Sequence, residues 1–138
     1  FGCQCIVLAI DAYKDHNNHK SGYNVSTHGG KKKTDIDALE GAIAGEKNGA
    51  GEILLTSMNA DGTKLGYDIE LTSKISTEVS IPVIASGGAG KPLDMVNVLK
   101  KGGASAVLAA SIFHFGIYTI ENVKKEMLKY NIPIRKTW

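Results

Sequence analysis

Cysteine, proline and tryptophan are scarce in this chain, at two, three and one among 138 residues. Cys3 and Cys5 stand too close together for an ordinary structural disulfide, and their spacing is neither a zinc knuckle nor a redox pair. The fold must therefore rest on its core. Alternation along residues 3–8 puts both thiols on one face of a strand, where they read as small buried side chains. A surplus of charge is lacking too. Sixteen basic and fourteen acidic residues leave a formal charge of +2, no broad field for nucleic acid, and no aromatic-and-basic interleaving for base stacking. No apolar run is long enough to cross a membrane and no signal peptide is visible, so a cytoplasmic protein is expected. Histidines are few and scattered. His16 and His19 lie in an irregular polar turn, and His28 and His114 have no matching ligands nearby, so the sequence calls for no metal and no other cofactor.

What the chain has in quantity is glycine, sixteen residues, and a 43% hydrophobic share that suffices for one domain over residues 1–138. The most informative glycines lie in Ile84-Ala85-Ser86-Gly87-Gly88-Ala89-Gly90, between a β-branched apolar run and a helical pattern opened by Pro92. A glycine turn between a strand's carboxyl end and a helix's amino end lets backbone N–H groups approach an anion, with the helix dipole behind them. A tight connection is the other reading of such a turn. Two further strands end in the same way, at Thr56-Ser57 and at Ala110-Ser111, and the recurrence marks a repeated βα unit with its loops on one face.

Read in order, a strand over residues 3–11 is followed by a polar excursion and a short extended piece over 24–27. The Lys31-Lys32-Lys33 run reads as a solvated loop. Thr34 can cap a helix with Asp37 three residues on and Ile36, Leu39, Ala42 and Ile43 as its apolar stripe. The second unit is a strand over 52–56 and a helix capped by Asp68. The third is a strand over 81–86 and a helix over 92–101 with Pro92 near its first position. A strand over 106–111 and a helix over 119–131, with Ile120, Val123, Met127 and Tyr130 in register, make the fourth. Four βα units in succession imply parallel strands with the helices outside. A closed (β/α)8 barrel takes about 250 residues, so the expected architecture is half of such a barrel. The chain opens at Phe1 almost directly on a strand, and about four further units are expected on its amino-terminal side.

Strand alternation turns Cys5, Val7, Ala9 and Asp11 to one face and Ile6, Leu8 and Ile10 to the other. With the bulky face against the helices, Asp11 points into the barrel mouth, where acid–base residues of such barrels lie; the alternative is a turn cap or a lysine partner. Asp61 before Gly62 can equally be a plain Asp-Gly turn.

Five segments, in order, carry a resemblance. These are Val7-Leu8-Ala9-Ile10-Asp11-Ala12, Thr27-His28-Gly29-Gly30-Lys31-Lys32, residues 49–57 followed by Asp61-Gly62-Thr63-Lys64 and Gly66-Tyr67-Asp68, Ala85-Ser86-Gly87-Gly88-Ala89-Gly90, and Ala109-Ala110-Ser111-Ile112-Phe113-His114. Together they resemble the second half of the cyclase subunits of imidazole glycerol phosphate synthases, across essentially the whole chain. The resemblance implies a (β/α)8 barrel of two similar halves, acting in histidine biosynthesis. Such a lyase takes ammonia from a glutaminase partner and converts a phosphoribulosyl-formimino derivative of aminoimidazole carboxamide ribotide into imidazole glycerol phosphate and aminoimidazole carboxamide ribotide. It implies two acid–base aspartates. Asp11 matches the one on the fifth strand of the whole barrel, and the other belongs to the amino-terminal half barrel.

It further implies that one phosphate of the bis-phosphate substrate is held by Asp61, Gly62, Ser86, Gly87, Gly88, Ala110 and Ser111, that Thr27 is an active-site threonine, and that Glu52, at the opposite barrel end, gates ammonia entry. Gly29 stands where a serine hydroxyl is often found. The sister isomerase of the same pathway shares the half-barrel repeat and the Asp-Gly-Thr loop, but residues 27–32 and 109–114 favour the cyclase. A reading of another class is a non-catalytic, phosphate-binding half barrel. Without the first-strand aspartate, the isolated chain is expected to be inactive, and its uncovered sheet edges favour self-association.

Overall fold

The computed structural model describes residues 2–135. Apolar residues at alternate positions build four parallel strands, β1 (Val7–Lys14), β4 (Glu52–Ser57), β5 (Val83–Ser86) and β6 (Ala106–Val107). Between β1 and β4 the chain adds an antiparallel hairpin, β2 (Tyr23–Thr27) and β3 (Lys32–Asp37), giving one sheet in the order β3-β2-β1-β4-β5-β6. Helices α1 (Ala38–Lys47), α2 (Ile69–Ser76), α3 (Pro92–Lys101), the short α4 (Ser111–His114) and α5 (Ile120–Lys129) complete the described chain.

The two faces of the sheet differ. Ile10, Ala12, Ile53, Leu55, Val83 and Ala85 turn to the helices and are buried, with Leu71 and Ile75 of α2 and Met95, Val96 and Val98 of α3 among their buried companions. Each fully buried aliphatic side chain contributes about 1.5–3 kcal/mol. The other face carries the rows Val7–Glu52, Ala9–Leu54–Ile84 and Asp11–Thr56–Ser86, in register across β1, β4 and β5. It is open: Val7 is 50% exposed, and Ala9 is exposed as well. This is the face that lines the inside when such a sheet closes into a barrel.

Several expectations need correction. Cys3 and Cys5 are not buried on a strand. They lie in a 3₁₀ turn at Cys3–Cys5 and both are exposed, because Gly51 comes up against the backbone of Cys3 and Gln4 and donates its N–H to Ile6 O at 2.8 Å. Thr34 does not cap α1. Its hydroxyl donates to Val25 O at 2.7 Å inside the hairpin, and Asp37 takes the cap instead, accepting from the N–H groups of Leu39 and Glu40. Residues 31–33 are no free loop, since Lys32 and Lys33 belong to β3. The sheet edges also differ. The hairpin pairs with residues 11–14 of β1, so only 7–10 stay uncovered on that side.

The strand expected over 106–111 is only β6 at Ala106–Val107, because Ala110 takes helical backbone angles and Ser111 opens α4. Asp68 caps α2 through Leu71 N at 3.0 Å, and Pro92 opens α3. In α5 the buried stripe is narrower than the register suggests: Val123 and Met127 are buried, whereas Ile120 is 60% exposed.

Candidate phosphate and acid–base site

The carboxyl ends of β4, β5 and β6 stop on one rim, and their loops meet there. Gly87 and Gly88 have φ of 89° and 102°, values only glycine adopts without strain. Their lack of a side chain is used directly. Gly66 N donates to Gly88 O at 2.8 Å, a Cβ on Gly88 would collide with Gly66 O, and one on Gly87 would lie 2.8 Å from Ser57 O. The glycine turn is thus locked against the β4–α2 loop. Tyr67 adds a second tie, its hydroxyl donating to Leu108 O at 2.9 Å; burial, helped by the Asp94 charge, raises its pKa and keeps the phenol protonated.

These loops enclose a cavity of about 120 Å³ lined by Asp61, Gly62, Lys64, Ser86, Gly87, Gly88, Ala89, Leu108, Ala109, Ala110 and Ser111. All seven residues expected at the phosphate line it, and Lys64 joins them. Lys64 was missed, although it closes the Asp-Gly-Thr-Lys turn; its ammonium lies 5.5 Å from the Phe115 ring centre. The N–H groups of Gly62, Gly87, Gly88, Ala110 and Ser111 make no hydrogen bond to another described residue, so they are available to an anion. The N–H groups of Gly90 and Lys91, just before α3, are not. Asp94 reaches back to accept from Gly90 N and Lys91 N, both at 3.0 Å, and Pro92 has no N–H to offer. Gly90 and Lys91 are thus occupied, and among the described residues the open N–H groups lining the cavity lie at Gly62, on the glycine turn and at the start of α4.

The recurring serines are not equivalent. Ser86 and Ser111 line the cavity, whereas Ser57 is buried on the helix side and donates to Asp68 at 3.2 Å. Asp68 also accepts from the Tyr23 hydroxyl at 3.1 Å and lies 3.8 Å from Lys14 Nζ. It is a structural hub, and burial together with Asp68 and Glu70 raises the Tyr23 pKa.

Asp11 stands on the open face in the row Asp11–Thr56–Ser86, two strands from Ser86 and at the same strand ends. Its carboxylate is partly exposed and makes no hydrogen bond or ion pair with another described residue. Thr27 is not brought into the cavity. It pairs with Lys32, donates weakly to Lys32 O at 3.5 Å and lies 3.0 Å from His28 Nδ1. The residue beside Asp11 is Ser26, 5% exposed and donating to Asp11 O at 3.1 Å, which strand alternation could have indicated. Gly29 has open space where a Cβ would stand. Glu52 shares the face of Asp11 but pairs with Val7, four residues or about 13 Å down the strand, at the other end of the sheet.

Comparison with known proteins agrees with this geometry. Residues 1–119 match the family model described as histidine biosynthesis protein. The imidazole glycerol phosphate synthase subunit HisF of Dehalococcoides mccartyi is 57% identical over 135 residues, covering 98% of this chain and 52% of that protein. The subunit HisF of Corynebacterium diphtheriae is 54% identical over 138 residues, covering 98% of this chain and 53% of its own length. The chain spans about half the length of these curated relatives. With that match and a half-barrel sheet bearing its open loops on one rim, the chain belongs to the histidine biosynthesis protein family of (β/α)8 barrels.

Proposed function

We propose that residues 1–138 are the carboxyl-terminal half of a cyclase barrel that, completed by an amino-terminal half, performs the cyclase step of histidine biosynthesis. The observation that carries this reading is the backbone cradle of about 120 Å³ on the same rim as an uncommitted carboxylate, Asp11. The cradle holds one phosphate of the phosphoribulosyl-formimino substrate. Asp61 serves differently, because a carboxylate repels phosphate; its oxygens accept from sugar hydroxyls next to it. Asp11 moves protons during ring closure and carbon–nitrogen cleavage, with the second aspartate supplied by the other half. Ammonia from a glutaminase partner enters past Glu52 at the opposite end. A cytoplasmic location follows from that role; no helix among the described residues is long and apolar enough to cross a membrane.

The test is steady-state cyclase kinetics on the complete protein. Asp11→Asn lowers turnover while substrate affinity holds; near-normal turnover removes Asp11 from the mechanism. The sister isomerase is less favoured, since the relatives at 54–57% identity bear the synthase subunit's name.

One observation supports a second reading for the chain alone. Among the described residues its barrel face is uncovered, with Val7 50% and Leu108 43% exposed, and β6 has no strand paired on its outer side. Such a surface favours pairing of two copies into an eight-stranded arrangement that binds phosphate without turnover. Sedimentation and a cyclase assay decide it. A stable monomer at micromolar concentration contradicts self-association, and turnover contradicts the need for the first-strand aspartate.

A further inference from the structure

Only two of the residues lining the cradle carry a formal charge, and they oppose each other from the two ends of one turn, Asp61-Gly62-Thr63-Lys64. They are not paired, for no carboxylate among the described residues comes within 4.0 Å of the Lys64 ammonium. Lys64 has a φ of 58°, in the left-handed region that residues with a side chain rarely take and glycine takes freely. The surrounding loops hold it there. A Cβ on Gly90 would collide with Lys64 O, so the glycine turn packs directly on the strained residue. The Thr63 hydroxyl braces the turn from within, donating to Ala60 O at 2.7 Å and accepting from Leu65 N at 3.2 Å. From this mount the side chain reaches the next loop, where its ammonium lies 5.5 Å from the centre of the Phe115 ring, directly after α4 and 68% exposed. A turn that needed only its backbone shape would be better served by glycine at residue 64.

We propose that Lys64 is the charge-balancing residue of the cradle: when phosphate binds, its ammonium leaves the Phe115 ring, meets the anion and offsets Asp61. Backbone N–H groups carry only partial charges, and a cavity whose one ionised side chain was Asp61 would repel the dianion that those groups are placed to receive. An exposed aromatic face keeps a cation at hand without neutralising it. Turned to phosphate, the same ammonium makes a charge-assisted hydrogen bond, the stronger kind. Backbone strain retained at residue 64 fits a position kept for its side chain rather than for its turn. The inference rests on the phosphate cradle of the cyclase reading and adds a binding residue to it.

The experiment follows the Gly87 and Gly88 amide resonances of the complete protein while inorganic phosphate is added, in Lys64→Met, Lys64→Arg, Lys64→Gly and Lys91→Met. Lys91 is the control, an exposed lysine close by that does not line the cavity. Lys64→Met raises the Kd at this site about tenfold or more, as expected for a lost charge-assisted contact; Lys64→Arg recovers most of the affinity, and Lys91→Met barely changes it, its charge being screened by solvent. Lys64→Gly separates binding from folding. It weakens phosphate as Lys64→Met does while the unfolding midpoint holds or rises, because relief of the left-handed φ offsets the added freedom of glycine in the unfolded chain. An unchanged Kd in Lys64→Met, an equal rise in Lys91→Met, or affinity that falls only where the midpoint falls overturns the proposal, as does wild-type protein with no saturable shift at Gly87 and Gly88. Wild-type protein that shows those shifts but no turnover sinks the cyclase reading alone, and the Kd comparison still decides the role of Lys64.

Discussion

The two faces of this sheet are built from the same strands and are put to opposite uses. On the helix side, Ile10, Ile53, Leu55 and Val83 are all at most 3% exposed, and even the polar Ser57 is committed to Asp68. On the other side, Asp11 keeps a carboxylate without partners among the described residues, Val7 is half exposed, and the loops at the strand ends present N–H groups that no other described residue accepts from. Period-two alternation lets one strand serve both faces. Within the described residues the buried apolar side chains of these strands are concentrated on the helix side.

Substitutions at matched positions sharpen that contrast. The largest effect is expected at Asp11. Asp11→Asn in the complete protein should lower kcat by about 10²–10⁴-fold, the range for a lost general acid or base, with the unfolding midpoint hardly moved; a destabilised protein with normal kcat would reverse the assignment of faces. Next come adjacent leucines of β4. In the chain alone, Leu55→Ala should cost about 2–5 kcal/mol in urea unfolding, and Leu54→Ala, on the side that only the other half barrel would cover, clearly less. Equal losses would mean that the open side is packed in solution.

The cradle calls for a substitution that separates binding from folding. Gly88→Val cannot do so, because any side chain there strikes Gly66 O and disrupts the loop pair. Ser111→Asp can: a carboxylate suits the first turn of α4 but repels an anion. It should weaken phosphate-ester binding about tenfold or more at little cost to stability, through like charge at the cradle. Neutralising Lys31, Lys32 and Lys33 together should do much less to a ligand with a single phosphate. The opposite ranking in calorimetric titration would move the anion to the hairpin.

The smallest effect belongs to Asp37 at the start of α1. Burial opposes its ionisation, but hydrogen bonds from Ser21, Glu40 and Leu39 outweigh it and hold its pKa below the ordinary value. The carboxyl binds its proton less readily folded than unfolded, so its contribution is fully present above the unfolded value near 3.9 and is lost as pH falls through the folded one. Replacing it with Ala should cost about 1 kcal/mol at pH 7 and flatten the acid limb of stability against pH; an unchanged acid limb would deny the cap its charge.

Much of this was legible in the sequence for a physical reason. β4, α2 and α3 carry strong alternation or end signals, such as Asp68 and Pro92, that tertiary contacts reinforce. The cradle was legible because glycine turns declare themselves. The hairpin was not. In Lys32–Asp37 one side faces solvent and the other the barrel mouth, so polar residues occupy both and no alternation appears; edge strands commonly carry lysines for this reason. The start of the chain misled in the opposite way, because residues 3–8 alternate like a strand while Gly51 bends them into a turn. The acceptor role of Asp94 toward Gly90 and Lys91 was not legible, because it depends on a loop conformation that spacing alone does not encode.

The central claim, that the open rim receives phosphate through backbone N–H groups, is tested most directly by following amide resonances while inorganic phosphate is added. Saturable shifts are expected at Gly62, Gly87, Gly88, Ala110 and Ser111, with Gly90 and Lys91 at the occupied start of α3 staying still. Shifts led by Gly90 and Lys91, or no saturable shift along the glycine turn, would contradict it.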